Sequence, residues 1–213
     1  MDILALSATE ASLEFLKKGG PFVYPLILCS IAGITAICFK ALSLARSRIV
    51  PDRLAAKMDT IATTESEATV REIEKGSSTL ARLGSVAIKH GGKSPEEITR
   101  VVEATAREEI VRMHSGIGVL DVVITVAPLL GLLGTASGLV TIFQGLGETT
   151  DHLAIARGIA EALNTTIFGL AIAVPCVVAH SYFTRRIERL TARMEAVMTD
   201  FVSACARHNP GSH

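Results

Sequence analysis

At 213 residues, with 49% hydrophobic and 20% charged side chains and a mean hydropathy of +0.43, the chain is too apolar for an ordinary soluble domain. It is also too charged to lie wholly within a bilayer. Lysine plus arginine and aspartate plus glutamate balance at 21 each, which excludes the broad basic field that gathers nucleic acid by counterion release.

What is left is a chain of membrane spans joined to water-exposed helices. Three charge-free stretches, 19–39, 122–147 and 162–184, meet the length needed to cross about 30 Å of hydrocarbon at 1.5 Å per residue. In chain order the expectation is an N-terminal periplasmic segment at 1–18 and a first transmembrane helix at 19–41. A cytoplasmic helical segment at 42–116 and a second transmembrane helix at 117–147 follow. A periplasmic turn at 148–157, a third transmembrane helix at 158–184 and a cytoplasmic C-terminal helix and tail at 185–213 complete the chain. The first span follows Lys17 and Lys18 as a signal peptide would, but its apolar run is long and no small-x-small cleavage site follows, so it reads as a retained anchor.

The sidedness comes from the basic residues near the span ends. Lys40, Arg46, Arg48, Arg53 and Lys57 follow the first span, Arg107 and Arg112 precede the second, and Arg185, Arg186, Arg189 and Arg193 follow the third. The turn between spans two and three sets Glu148 and Asp151 against Arg157. The N-terminus is therefore expected outside and the C-terminus in the cytoplasm, as a multi-pass protein of a bacterial inner membrane; Lys17 and Lys18 point the other way and are outnumbered.

Two helices are expected to run past the bilayer. Ser94 as N-cap, Pro95 at the first helical position and Glu97 closing a capping box start one. Ile98, Val102, Ala106, Ile110, Met113, Ile117, Leu120 and Ile124 then recur at steps of three and four, with no breaker before Pro128. One helix from about 95 to 143, roughly 70 Å long, is the result. Ile187, Leu190, Met194, Val197, Phe201 and Ala204 continue the third span as a heptad-like stripe. Identical copies around an axis, forming a helical barrel, would cover such stripes; packing within one chain is the alternative.

Within the spans, lipid gives helices little hydrophobic drive to associate, so small residues and interhelical hydrogen bonds hold them together. Gly131, Gly134 and Gly138 form such a face on span two, and Gly158, Ala162, Gly169 and Ala173 one on span three. Thr135, Thr165 and Thr166 add hydroxyls to these faces; each is a candidate for bonding back to its own helix or for lining a polar path. Glu161 lies one turn before Thr165, and a carboxylate within the membrane costs about 2.5–3.5 kcal/mol, so it marks a water-filled path or proton relay. Asp121 reads more simply as interfacial. Pro128 and Pro175 are expected to kink or locally unwind their helices, freeing carbonyls that a neighbour, a hydroxyl or water must satisfy.

The four cysteines form no CxxC pair and the six histidines no HxxxH pair, so no metal site, cofactor or structural disulfide is expected. The glycine pattern at 131–138 lacks the lysine of a phosphate loop, and no nucleophilic triad spacing stands out. An enzyme is not expected.

The pair "TVAPLLGLLGTASGLVTIF" and "IARGIAEALNTTIFGLAIAVPCVVAHSYF", with "KKGGPFVYPLILCSI" at the first span, closely resembles the ExbB/TolQ/MotA family of ion-channel motor subunits, the ExbB branch most of all. The resemblance covers the three spans and leaves 42–93 without a matching motif. It implies a homopentamer whose second and third spans line a pore around a single-span, ExbD-like partner carrying a protonatable aspartate. Proton flow through that assembly would drive a TonB-like periplasmic protein. Thr135 matches the pore threonine of span two, Thr166 that of span three and Glu161 the glutamate of the same motif; Thr165 stands where relatives often have a small apolar residue. Three visible spans disfavour the four-span MotA type, while a TolQ-like role in envelope constriction and a passive helical scaffold remain as alternatives. Membrane lipids are expected to surround the spans.

Overall fold

The computed structural model describes residues 21–44, 49–61, 67–145 and 152–207. The segment 1–18 with Lys17 and Lys18, the basic pair Arg46 and Arg48, the turn acids Glu148 and Asp151, and the tail from 208 onward lie outside the described residues. Every regular element among the described residues is a helix: α1 (Val23–Ser43), α2 (Asp52–Ile61), α3 (Glu67–Lys75), α4 (Thr79–Lys89), α5 (Pro95–His114), α6 (Ile117–Gly145) and α7 (His152–Arg207). Stretches within α1, α6 and α7 are long and apolar enough to cross a membrane.

The chain divides into two compact units. The first takes the chain up to Cys38 and Gly116–His180, hence most of α1, all of α6 and the first half of α7. Many of its large side chains point outward: Leu28, Ile31, Leu129, Leu132, Phe143, Ile167 and Val178 are exposed. Its small residues point inward, as expected where the surroundings are acyl chains and close approach does the packing. Gly33 of α1 is one such point. A Cβ there would fall 2.8 Å from Cys176 Sγ and 3.5 Å from Val123 Cγ1, so α1, α6 and α7 converge on it.

Two sequence expectations change here. The stretch 148–157, expected as a turn, is helical from His152 on, where α7 begins; Leu153, Ala156 and Arg157 are good helix formers and nothing before Gly158 interrupts them. The single helix from 95 to 143 is in fact two. Ser115 leaves the helical region at φ −51° and ψ 131°, and Gly116 takes φ +83°, a left-handed conformation open to glycine without steric penalty. The apolar stripe runs through this break in sequence and conceals it. The stop signal is Arg112 and His114 in the last turn followed by Gly116.

The second unit comprises Phe39–Ser115 and the chain from Ser181. Ile98, Val102 and Met113 of α5 and Ile187, Leu190, Met194, Val197 and Phe201 of α7 are all buried within this one chain. The stripes therefore need no second copy to cover them, which corrects that support for a multi-copy barrel. Leu80 and Leu83 of α4, Ile73 of α3 and Met58 of α2 complete the same core. Ser94 caps α5, accepting from the Glu97 N–H at 3.3 Å, while the Glu97 carboxylate takes Lys93 Nζ at 2.5 Å. That ammonium holds the Glu97 carboxyl below its usual range.

Basic side chains of this unit do structural work. Lys40, only 2% exposed, donates from Nζ to Met113 O at 2.8 Å. It thereby satisfies one of the carbonyls orphaned where α5 ends, at the negative pole of the helix. Arg186 donates to Leu44 O at 3.0 Å, and Arg193 pairs with Asp52 at 2.7 Å.

Glu109 is 5% exposed, bonded to Arg82 Nη2 at 2.7 Å and Thr79 Oγ1 at 3.3 Å. Glu109→Ala should lower the unfolding free energy by about 1–3 kcal/mol, since Arg82 stays partly solvated while the Thr79 hydroxyl loses its acceptor. Chemical denaturation of the detergent-solubilised protein measures this; an unchanged midpoint contradicts it.

Burial pushes the Cys205 thiol up to about 12. Cys205 should resist alkylation at pH 8 until the fold is opened by denaturant. Because its folded pKa is raised, its contribution to stability is complete below the unfolded value near 8.5 and is lost as pH rises toward about 12. Mass spectrometry after iodoacetamide treatment reads the first effect directly.

Candidate functional site

In the first unit, α6 and α7 touch through backbone rather than through long side chains. A Cβ on Gly131 would fall 2.8 Å from Thr165 O and 2.9 Å from Thr166 Cα. One on Gly169 would fall 2.5 Å from Ala127 O, and one on Gly138 2.8 Å from Ala162 Cβ. Gly158 faces the flexible end of Ile142, with Cδ1 at 3.0 Å. Ala162 and Ala173 are buried. Glycine is required at 131 and 169 because no neighbouring backbone atom can yield to a methyl group.

The close approach brings the three threonines together. Thr135 Oγ1 lies against Thr166 Oγ1 in a hydroxyl–hydroxyl bond in which either is the donor. Thr135 Oγ1 also reaches Gly131 O at 3.1 Å in its own helix and Ala162 O at 3.3 Å across the contact. Thr166 Oγ1 reaches Gly131 O at 3.1 Å. The two hydroxyls thus have two protons to share among each other's oxygen and the carbonyls of Gly131 and Ala162, and rotating the hydroxyls reverses the direction of donation without creating a charge. Such a cluster can accept from, or donate to, a carboxyl group or water brought beside it.

Thr165 is the deepest of the three, 3% exposed against 9% for Thr135; Thr166 is half-buried. The Thr165 hydroxyl donates to Ala162 O at 2.6 Å and fills the space in front of Gly134, 3.0 Å from where a Cβ would stand. It is already covered by its own chain. Glu161 is half-buried on α7, one turn before Thr165. Pro128 and Pro175 sit inside α6 and α7, whose helical assignment continues through both, so neither helix unwinds there.

One pair went unpredicted. Asp121 Oδ1, near the start of α6, lies 2.9 Å from His180 Nε2 on α7. Asp121 by itself gave only an interfacial acid, and no short-range spacing joins it to His180. The helix pairing that brings them together is the signal, and a single sequence does not carry it. Among the described residues no cluster of three or more His, Cys, Asp and Glu side chains is placed to hold a metal ion.

Residues 88–196 match the model of the MotA/TolQ/ExbB proton channel family. The chain belongs to this family. An ExbB homolog of Methanothermobacter thermautotrophicus is 32% identical over 199 residues, covering 92% of this chain and 71% of the relative. The ExbB-like 1 biopolymer transport protein of Synechocystis is 32% identical over 212 residues, covering 94% of this chain and 78% of that one. The Tol-Pal system protein TolQ of Pseudomonas aeruginosa is 32% identical over 108 residues, half of this chain and 47% of its own. The MotA/TolQ/ExbB match embraces α5, α6 and the α7 segment that carries the threonine cluster and the Asp121–His180 pair. This ExbB-like chain is thus a multi-pass membrane protein of a proton-channel family, helical throughout its described elements.

Proposed function

We propose that the chain is the inner-membrane motor subunit of a proton channel that works as a homopentamer around an ExbD-like single-span protein. Proton entry would drive a TonB-like periplasmic transducer of outer-membrane import. The observation that carries this reading is the hydroxyl cluster of Thr135 and Thr166, built without fixed charge at the α6–α7 contact of a proton-channel family member. In the assembly, Thr135, Thr166 and Glu161 form the pore-side path, while Thr165 with Gly131, Gly134 and Gly169 holds the helix pair rigid behind it.

The N-terminus and the segment joining α6 to α7 lie in the periplasm, and the second unit lies in the cytoplasm, as the arginines after α1 and the third span favour. The pentamer finds support in an open groove of about 500 Å3 between α5 and α7, whose exposed rim carries Glu103, Arg107, Glu195 and Thr199. Thr191 Oγ1 is buried at this groove with no hydrogen-bond partner among the described residues. A neighbouring copy would cover the groove. Each proton yields about 2.3 kcal/mol per 100 mV, so several must pass for one mechanical stroke.

Proton flux into proteoliposomes holding the chain with and without an ExbD-like protein tests the reading. Flux that requires both proteins is expected. No flux with either composition would leave a passive scaffold. A TolQ-like role, favoured by the match to TolQ, is separated by asking which single-span protein co-purifies.

A further inference from the structure

We infer that Asp121 and His180 form a second proton-binding site, at the opposite end of the first unit from Glu161, through which protons leave the path. This rests on the proton-channel reading above and adds to it a specific exit.

Among the described residues, the first unit is nearly devoid of acids and bases. Between 21 and 38, α1 contributes none; α6 contributes Asp121 alone; α7 contributes His152, Arg157, Glu161 and His180. The next charges along α7 are Arg185 and Arg186. Glu161 and His180 are about 28 Å apart along one helix at 1.5 Å per residue, nearly the thickness of the hydrocarbon layer. The threonine cluster lies between them, close to Glu161. Among the described residues, the carboxylates, histidines and arginine thus stand at the two ends of the unit, with the threonine hydroxyls between them.

The geometry suits proton exchange. Nε2 of His180 and Oδ1 of Asp121 are 2.9 Å apart, and the two side chains are 30% and 60% exposed, so the pair is not sealed within its own chain. An ionised Asp121 can only accept, which puts the proton of a neutral His180 on Nε2 and leaves Nδ1 as the acceptor. A proton arriving through water binds the Nδ1 lone pair, and the imidazolium is held by the adjacent carboxylate. Transfer from Nδ1–H to a second water gives hydronium and restores the neutral ring. One proton enters and one leaves; no bond other than N–H and O–H changes. An imidazole can take up a proton at one ring nitrogen while the other keeps its hydrogen bond, which fits His180 to exchange with the cytoplasm.

The test uses the complete complex with an ExbD-like partner in proteoliposomes, with proton flux followed by an internal pH dye and assembly by size-exclusion chromatography. His180→Gln keeps a polar side chain in place but cannot carry the proton; Asp121→Asn keeps the shape but not the charge. Assembly intact, flux reduced roughly tenfold or more in His180→Gln, and recovery when imidazole is supplied on the cytoplasmic face are expected. Asp121→Asn should lower flux as well, because the imidazolium loses its counter-charge. Flux equal to that of the unaltered chain in both variants, or a loss that imidazole does not restore, overturns the inference while leaving the proton channel intact. An unaltered complex that conducts no protons overturns both.

Discussion

Gly169→Ala is expected to destabilise the α6–α7 pair by about 3 kcal/mol, the upper end of the range for forcing a methyl group into a packed contact. The new Cβ would sit 2.5 Å from Ala127 O, with Ala127 C at 3.2 Å and Gly131 Cα at 3.3 Å. All three are backbone atoms, so no rotamer change relieves the clash and the helices must separate. Separation lengthens the Thr135–Thr166 bond, and proton flux should fall together with stability. Gly118→Ala, on the partner helix α6, is the control. Nothing lies within 4 Å of its Cβ position, and replacing a helical glycine with alanine should be neutral or stabilise by about 0.5–1 kcal/mol. Unfolding midpoints in detergent for the two variants check this; equal behaviour would mean that close backbone approach is not what joins α6 to α7.

Thr135→Val and Thr166→Val are expected to separate function from stability. Valine keeps the branched shape, and the carbonyls of Gly131 and Ala162 lose only an additional donor, so each variant should lose no more than about 1 kcal/mol. Flux should drop by about a hundredfold in either, because one hydroxyl alone cannot pass a proton to the other. The double variant should be scarcely worse than either single one, the signature of two groups acting as a unit. Serine at either position, which restores the hydroxyl, should recover most of the flux. Flux near normal in both valine variants would remove the cluster from the proton path. A large stability loss would make it a structural clasp.

Much of this arrangement is legible in the order of residues. Span length follows from runs of apolar side chains, because a bilayer demands a fixed thickness of them. The small-residue faces of α6 and α7 could be listed beforehand, because helix packing in lipid needs short side chains. The N-cap at Ser94 was likewise readable, since its oxygen serves N–H groups of the following turn.

Tertiary structure decided the rest. The apolar periodicity across Ser115–Gly116 is the same whether or not the helix breaks; the left-handed glycine ends α5, and Lys40, from a distant helix, satisfies a carbonyl exposed there. The stripes of α5 and α7 look identical from the sequence whether their cover is a neighbouring copy or other helices of the same chain, and burial within one chain distinguishes the two. Asp121 and His180 are separate residues until α6 and α7 pair. A linear pattern specifies which face of a helix is apolar, small or polar, because that depends on 3.6 residues per turn alone. Which face meets which depends on packing distances between residues far apart in the chain.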